Sequence, residues 1–167
     1  MNRGVGRQRI FFTRADGELF LSLLESASQM FAVEVHAYCL MSNHYHLLVR
    51  CPDGGLTEFM RYVNARYVRR VNARLGRDGT LFRGRFHAIR LDSAERIDRV
   101  GRYIHRNPLE IGLDAARYPL SSLQHFVGAG PTPDWLRTDM LVDEHGGPDR
   151  YRAFVLDGEW SPGPARP

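Results

Sequence analysis

Two histidines one residue apart, His44 and His46, are the first side chains in this sequence that could do chemistry together. Residues 34–50, EVHAYCLMSNHYHLLVR, read as a β-hairpin, with a strand over 34–41, a turn at Ser42-Asn43 and a second strand over 44–50. Side chains on a strand alternate between faces, so His44, His46, Leu48 and Arg50 share one face and Tyr45, Leu47 and Val49 the other. Strand residues two apart have Cα atoms roughly 6.5 to 7 Å from each other, close enough for both imidazoles to converge on one divalent cation. The plainer reading is a pair of half-buried polar groups on a solvated sheet face. A His-x-His alone does not separate the two.

A second constellation is cationic. All 23 basic residues are arginine, and they are clustered: residues 61–106 hold 13 arginines against four acids, a balance of +9, while the remainder, 10 against 15, stands at −5. Arginine suits bidentate phosphate contacts and base stacking, so the cluster points to a phosphate-rich polymer. Arg66, Arg70 and Arg74, followed by Arg77, form a stripe at helical spacing. A solvated face with intrahelical ion pairs is the alternative, but acids are almost absent from the stripe and like charges at that spacing repel. Further on, Leu81-Phe82-Arg83-Gly84-Arg85-Phe86 interleaves aromatics with arginines around a glycine, a composition suited to stacking bases while holding phosphates.

The elements that must position these groups are legible in coarse form. A helix is predicted over 16–31 with Asp16 as its cap, a second over 56–75 after the Pro52-Asp53-Gly54-Gly55 turn, and a third from the Asp92-Ser93 cap to about Arg106, ended by Asn107-Pro108. The third carries Tyr103 one turn before Asn107; taken alone, Tyr103 reads as an amphipathic core tyrosine. Residues 1–12 read as a loop leading to a short extended piece, 87–91 as a strand, and 118–122 as packed loop. Residues 128–133 read as a linker, 135–156 as one or two short helices, and 160–167 as a fraying end. A chain of 167 residues makes one main domain, taken as 1–127, with a partly helical extension over 128–167. Without an apolar run of 18 residues or a leader, a cytoplasmic protein with no membrane partner is expected. Cys39 and Cys51 suggest neither a disulfide framework nor a zinc site.

Together these residues resemble the single-tyrosine HUH transposases, most closely the REP-associated tyrosine transposases. The resemblance is carried by Asn2-Arg3-Gly4 with Ile10-Phe11, by residues 37–49 around His44-Tyr45-His46, by residues 81–86, and by Arg102-Tyr103-Ile104-His105-Arg106-Asn107-Pro108 followed by Tyr118-Pro119-Leu120-Ser121-Ser122. It implies an α+β fold: a ferredoxin-like or RRM-like antiparallel sheet with helices on one face, the histidine motif on a central strand, and the active site on the other face. It implies His44 and His46 as metal ligands, Asn107 as a further polar ligand, and Tyr103 as the nucleophile.

The implied reaction is cleavage and rejoining of single-stranded DNA near hairpins. Mg²⁺ or Mn²⁺ would polarise the phosphodiester and Tyr103 would attack phosphorus, leaving a phosphotyrosyl end and a free 3′-hydroxyl. Arg66, Arg70, Arg74, Arg83 and Arg85 would hold the strand or an adjacent hairpin. The alternatives are a DNA-binding protein of the same fold that no longer cuts, and RNA binding through an RRM-like sheet, which the histidines and Leu48 on the open face argue against. Either a monomer or a homodimer exchanging its tyrosine helix is compatible with the sequence, and roles for His87 and His105 stay open. The family's usual strand before Asn-Arg-Gly is not in this sequence, so an open strand edge beside the histidine strand is expected.

Overall fold

The hairpin forms where the alternation puts it. In the computed structural model, which describes residues 1–157, β2 (Glu34–Met41) and β3 (His44–Arg50) pair antiparallel around the Ser42-Asn43 turn. Met41 stands opposite His44, Leu40 opposite Tyr45 and Cys39 opposite His46. Residues 160–167, expected to fray, lie outside the described residues.

On the other side of β3, β1 (Asn2–Arg3) pairs antiparallel, Asn2 with Tyr45 and Arg3 with His44. The sheet order is β1-β3-β2, which puts the histidine strand in the centre. The edge expected to be open is therefore covered at His44 and Tyr45 by residues read from sequence as loop; beyond Tyr45, no strand among the described residues pairs with β3 on that side. Gly4 follows β1 because nothing larger fits: a Cβ there would stand 2.2 Å from the Gln8 carbonyl oxygen.

Residues 81–87 run antiparallel along β1, with Gly4 opposite Phe82, the Arg83 N–H donating to the Arg3 carbonyl at 3.0 Å and the His87 N–H to the Met1 carbonyl at 2.9 Å. The strand expected over 87–91 does not form. Its apolar member Ile89 is 56% exposed, so there is no buried face for pairing to complete. At the opposite edge, residues 118–122 seal β2. Leu40 N–H donates to the Leu120 carbonyl at 2.9 Å, Ser122 N–H to that of Tyr38 at 3.0 Å, and the Tyr118 hydroxyl to that of Leu40 at 2.9 Å. The Tyr-Pro-Leu-Ser-Ser stretch is thus an edge cover rather than a free loop.

Two long helices, α1 (Arg14–Phe31) and α2 (Leu56–Leu75), cover the face that Tyr45 points to. The Phe20 ring packs on Tyr45 at 4.8 Å and the Tyr45 hydroxyl donates to Asn64 at 2.9 Å. The cap of α1 is Thr13, not Asp16. Asp16 is the third residue of the capping box, its carboxylate accepting from the Phe12 and Thr13 N–H groups at 2.9 Å each.

The helices do not all share one face. α3 (Ala94–Arg106), capped by Ser93, crosses the opposite face and packs on β2 and β3. Its outer side is covered by α4 (Leu123–Phe126), α5 (Asp139–Glu144) and α6 (Pro148–Leu156). Asp98 bonds His145 at 2.7 Å, a guanidinium nitrogen of Arg106 donates to the Val155 carbonyl, and Gly101 lets Leu141 approach so closely that a Cβ would sit 2.8 Å from its methyl carbon. Among the described residues, no helix is long and apolar enough to cross a membrane.

Candidate active site

The strand period sends His44 and His46 to the face that α3 crosses. Their rings stand edge to face with centroids 5.0 Å apart, and the Tyr103 ring, half-buried on α3, meets His46 edge to face at 5.2 Å. Asn107, 2% exposed, opens the short 3₁₀ turn Asn107–Ile111 directly after α3. The structure therefore brings His44, His46, Tyr103 and Asn107 into one cluster within a single chain.

The hydrogen bonds orient the cluster. Asn107 Nδ2 donates to the Tyr103 carbonyl at 2.8 Å and to that of Ile104 at 3.4 Å, so the amide caps the end of α3 and turns Oδ1 toward His44 Nε2, 3.4 Å away. On the other side of the imidazole, Asn43 Nδ2 donates to the Arg7 carbonyl at 3.2 Å, which presents Asn43 Oδ1 to His44 Nδ1 at 2.7 Å. An amide oxygen only accepts, so the short contact to Asn43 Oδ1 suits the His44 tautomer with its proton on Nδ1. The lone pair of Nε2 then faces the lone pairs of Asn107 Oδ1. Two electron-pair donors aimed at each other, with a second amide fixing the tautomer from behind, suit a cation between them.

The donor set is two imidazoles and one amide oxygen. Among the described residues, no three His, Cys, Asp or Glu side chains come together as a metal group. Nitrogen donors with an oxygen fit Mn²⁺ somewhat better than Mg²⁺.

Tyr103 is set apart from the other tyrosines by where its ring points. Tyr45, Tyr67, Tyr118 and Tyr151 place their hydroxyls on Asn64, the Ile10 carbonyl, the Leu40 carbonyl and His105, and burial pushes all four phenols up, as it does Tyr38, which stacks on Trp135. Tyr62 lies beneath the Arg66 guanidinium at 4.3 Å. His105 does not belong to the cluster. It is fully buried between Tyr151 and Ser122, and burial lowers its pKa to about 3, so it stays neutral. The exposed His87 lies with residues 81–87 beside β1.

The arginines divide. Arg83 and Arg85 are exposed on the ribbon beside β1. Arg66 and Arg70 are exposed on α2, across the sheet from the imidazoles. Arg74 departs from the expected DNA-facing ridge: its guanidinium is held by Asp16, 2.7 and 2.8 Å from the two carboxylate oxygens, and ties α2 to the start of α1. The Asp16 carboxylate is 3% exposed, whereas the Arg74 side chain keeps 44% of its surface in solvent. Two residues escaped the sequence reading. Asn43 orients His44, and Arg3 shares the His44 face; the alternation of β1 against β3 could have revealed Arg3 had the strand been recognised.

The family model "Transposase IS200 like" matches residues 4–107, a span that runs from the glycine after β1 through the four clustered side chains. A solved structure, "Structure of the REP associates tyrosine transposase bound to a REP hairpin", is similar in fold, with a TM-score of 0.59 and 19% identity over 83% of this chain and 82% of that one. No match was found among the curated proteins. The chain belongs to the IS200-like transposase family.

Proposed function

We propose that this transposase cleaves and rejoins single-stranded DNA near hairpins through a covalent Tyr103 intermediate. The observation that carries the reading is the meeting of Tyr103 with His46 at 5.2 Å beside His44 Nε2 and Asn107 Oδ1, which stand 3.4 Å apart. A divalent ion held by His44, His46 and Asn107 would supply Lewis-acid polarisation of a phosphodiester. Tyr103 supplies the nucleophile. Its oxygen forms a bond to phosphorus as the bond to the 3′-oxygen breaks; the phenol loses its proton and the leaving oxygen gains one. One ester replaces another, so a second 3′-hydroxyl can reverse the step without ATP.

The half-burial of Tyr103 and its contact with His46 hold its ring on the imidazole side of the sheet, which supports an in-line approach over a free-swinging side chain. The like-charged surface of residues 61–106 supports a DNA partner. The related structure holds a REP hairpin, and a hairpin flanking the cut site is the substrate proposed here. Because Arg66 and Arg70 stand across the sheet from the imidazoles, DNA that touches both must pass round an edge of the molecule. A labelled single-stranded oligonucleotide with Mn²⁺ tests the reading: a covalent adduct that Tyr103→Phe abolishes supports it, and DNA binding without an adduct under any metal leaves a DNA-binding protein that does not cut.

A further inference from the structure

Arg3, Arg83 and Arg85 surround a hollow of about 30 Å³ whose remaining walls are Met1, Asn2 and His87. No carboxylate lines it. Six arginines elsewhere have an acid beside them: Arg14 with Glu18, Arg50 with Glu34, Arg74 with Asp16, Arg96 with Asp92, Arg99 with Glu95 and Arg117 with Asp114. Among the described residues no acid bonds Arg3, Arg83 or Arg85, although gathering like charges around one hollow costs free energy unless an anion enters. A hollow walled by three guanidinium groups and no carboxylate suits the oxygens of an anion.

The register says where this hollow faces. Arg3 pairs with His44, so their side chains share a face. Gly4 stands opposite Phe82, which puts Arg83 opposite Arg3, and the packing of the Phe82 ring on Tyr45 at 6.0 Å sends Arg83 to the imidazole side. His44, Arg3 and Arg83 therefore form one row across the sheet, with neighbouring strands about 4.8 Å apart. Asn2 fastens the row by donating from Nδ2 to the Gly84 carbonyl at 3.2 Å while its Oδ1 accepts from the Arg3 N–H at 2.8 Å.

We propose that Arg3, Arg83 and Arg85 form a phosphate-binding subsite for the single-stranded arm of the DNA, directly beside the cleavage centre and separate from the α2 ridge. This rests on the proposed function and adds to it a second binding locus and a residue, Arg3, in a strand-positioning role. The row fits an extended backbone crossing from the imidazoles over β1, whereas Arg66 and Arg70, on the far side of the sheet, are left for a double-stranded stem.

The test is the salt dependence of binding by the full chain in EDTA, with a hairpin-free single-stranded oligonucleotide and a blunt hairpin without an arm as probes. Arg3→Gln should lower the single-strand salt slope by about 0.7 and Arg83→Gln with Arg85→Gln by about 1.4, a loss near fivefold per arginine at 0.1 M salt, with the blunt hairpin unaffected. Arg66→Gln with Arg70→Gln should do the reverse. Unchanged slopes for the first set, or equal losses on both probes, overturn the subsite. Melting temperatures guard against misfolding, and if Arg3→Gln unfolds the protein, the exposed Arg83/Arg85 pair decides. Adduct formation by the wild type with Mn²⁺ is scored separately, so a missing adduct counts against the transposase reaction and unchanged slopes count against the subsite.

Discussion

The Tyr151 hydroxyl meets Nδ1 of His105 at 2.9 Å, and through that contact α6 holds the helix that carries Tyr103. The other ring nitrogen of His105 bonds Ser122 Oγ at 2.8 Å, and Ser122 Oγ accepts from the Tyr38 N–H at 2.9 Å. A single buried imidazole thus links the C-terminal helix, the tyrosine helix and the edge of the sheet.

Burial holds the His105 pKa at about 3, below the ordinary histidine value. Below pH 6.5 the unfolded chain takes a proton there that the folded chain refuses, so stability contributed above pH 6.5 is lost as pH falls toward 3, by about 1.4 kcal/mol per pH unit. Urea unfolding at pH 7 and pH 5 should show a loss of about 2 kcal/mol from this group. In His105→Phe the protein should be less stable at pH 7 and that part of the acid loss should vanish; an unchanged pH difference would show that His105 does not control it.

Arg74 and its neighbours on α2 should separate by phenotype. Arg74→Ala leaves the Asp16 carboxylate without its cation and should cost about 2 kcal/mol of stability, discounted for the partial exposure of the guanidinium. Arg66→Ala and Arg70→Ala should cost little stability and lower affinity for hairpin DNA. Thermal melts and gel shifts on the same preparations distinguish the two classes.

Asn43 should act on metal affinity through His44. Asn43→Ala removes the acceptor that fixes the Nδ1 proton, and loss of such a partner typically weakens metal binding 10- to 100-fold. Titration with Mn²⁺ followed by electron paramagnetic resonance reads this directly. His44→Ala should abolish the site, so an Asn43→Ala affinity equal to wild type would mean that the tautomer does not matter.

The cluster assembles within one chain, with α3 fastened to α5 and α6 by Asp98, Gly101, His105 and Arg106. Mixing Tyr103→Phe with His46→Ala protein should therefore restore no adduct. Restoration would mean that the tyrosine helix is exchanged between subunits.

Sequence patterns carried the hairpin and the three long helices almost to the residue: each helix has one buried and one exposed face, and the Ser42-Asn43 turn bounds two strands that are themselves covered on both faces. What they could not carry was pairing across distance. β1 is two residues long, too short for a period, and its partner lies more than 40 residues away. The same limit hid Arg3 as a neighbour of His44, and hid the edge-sealing role of residues 118–122, whose bonds run to β2. The ion pair of Arg74 was hidden for a related reason: on its own helix it continues the basic stripe, and the acid it meets is on α1. Tyr103 and Asn107 joined the histidines in the sequence reading through family resemblance, since nothing local sends α3 to the imidazole face.

The most direct measurement is the covalent trap: wild-type protein and Tyr103→Phe, each with Mn²⁺ and a labelled single-stranded oligonucleotide bearing a hairpin, resolved on a denaturing gel. The expected result is a protein–DNA band with wild type that is absent from Tyr103→Phe and from metal-free reactions, with equal DNA binding by both proteins. A band of equal intensity in Tyr103→Phe, or cleavage without any covalent species, would contradict attack by this tyrosine.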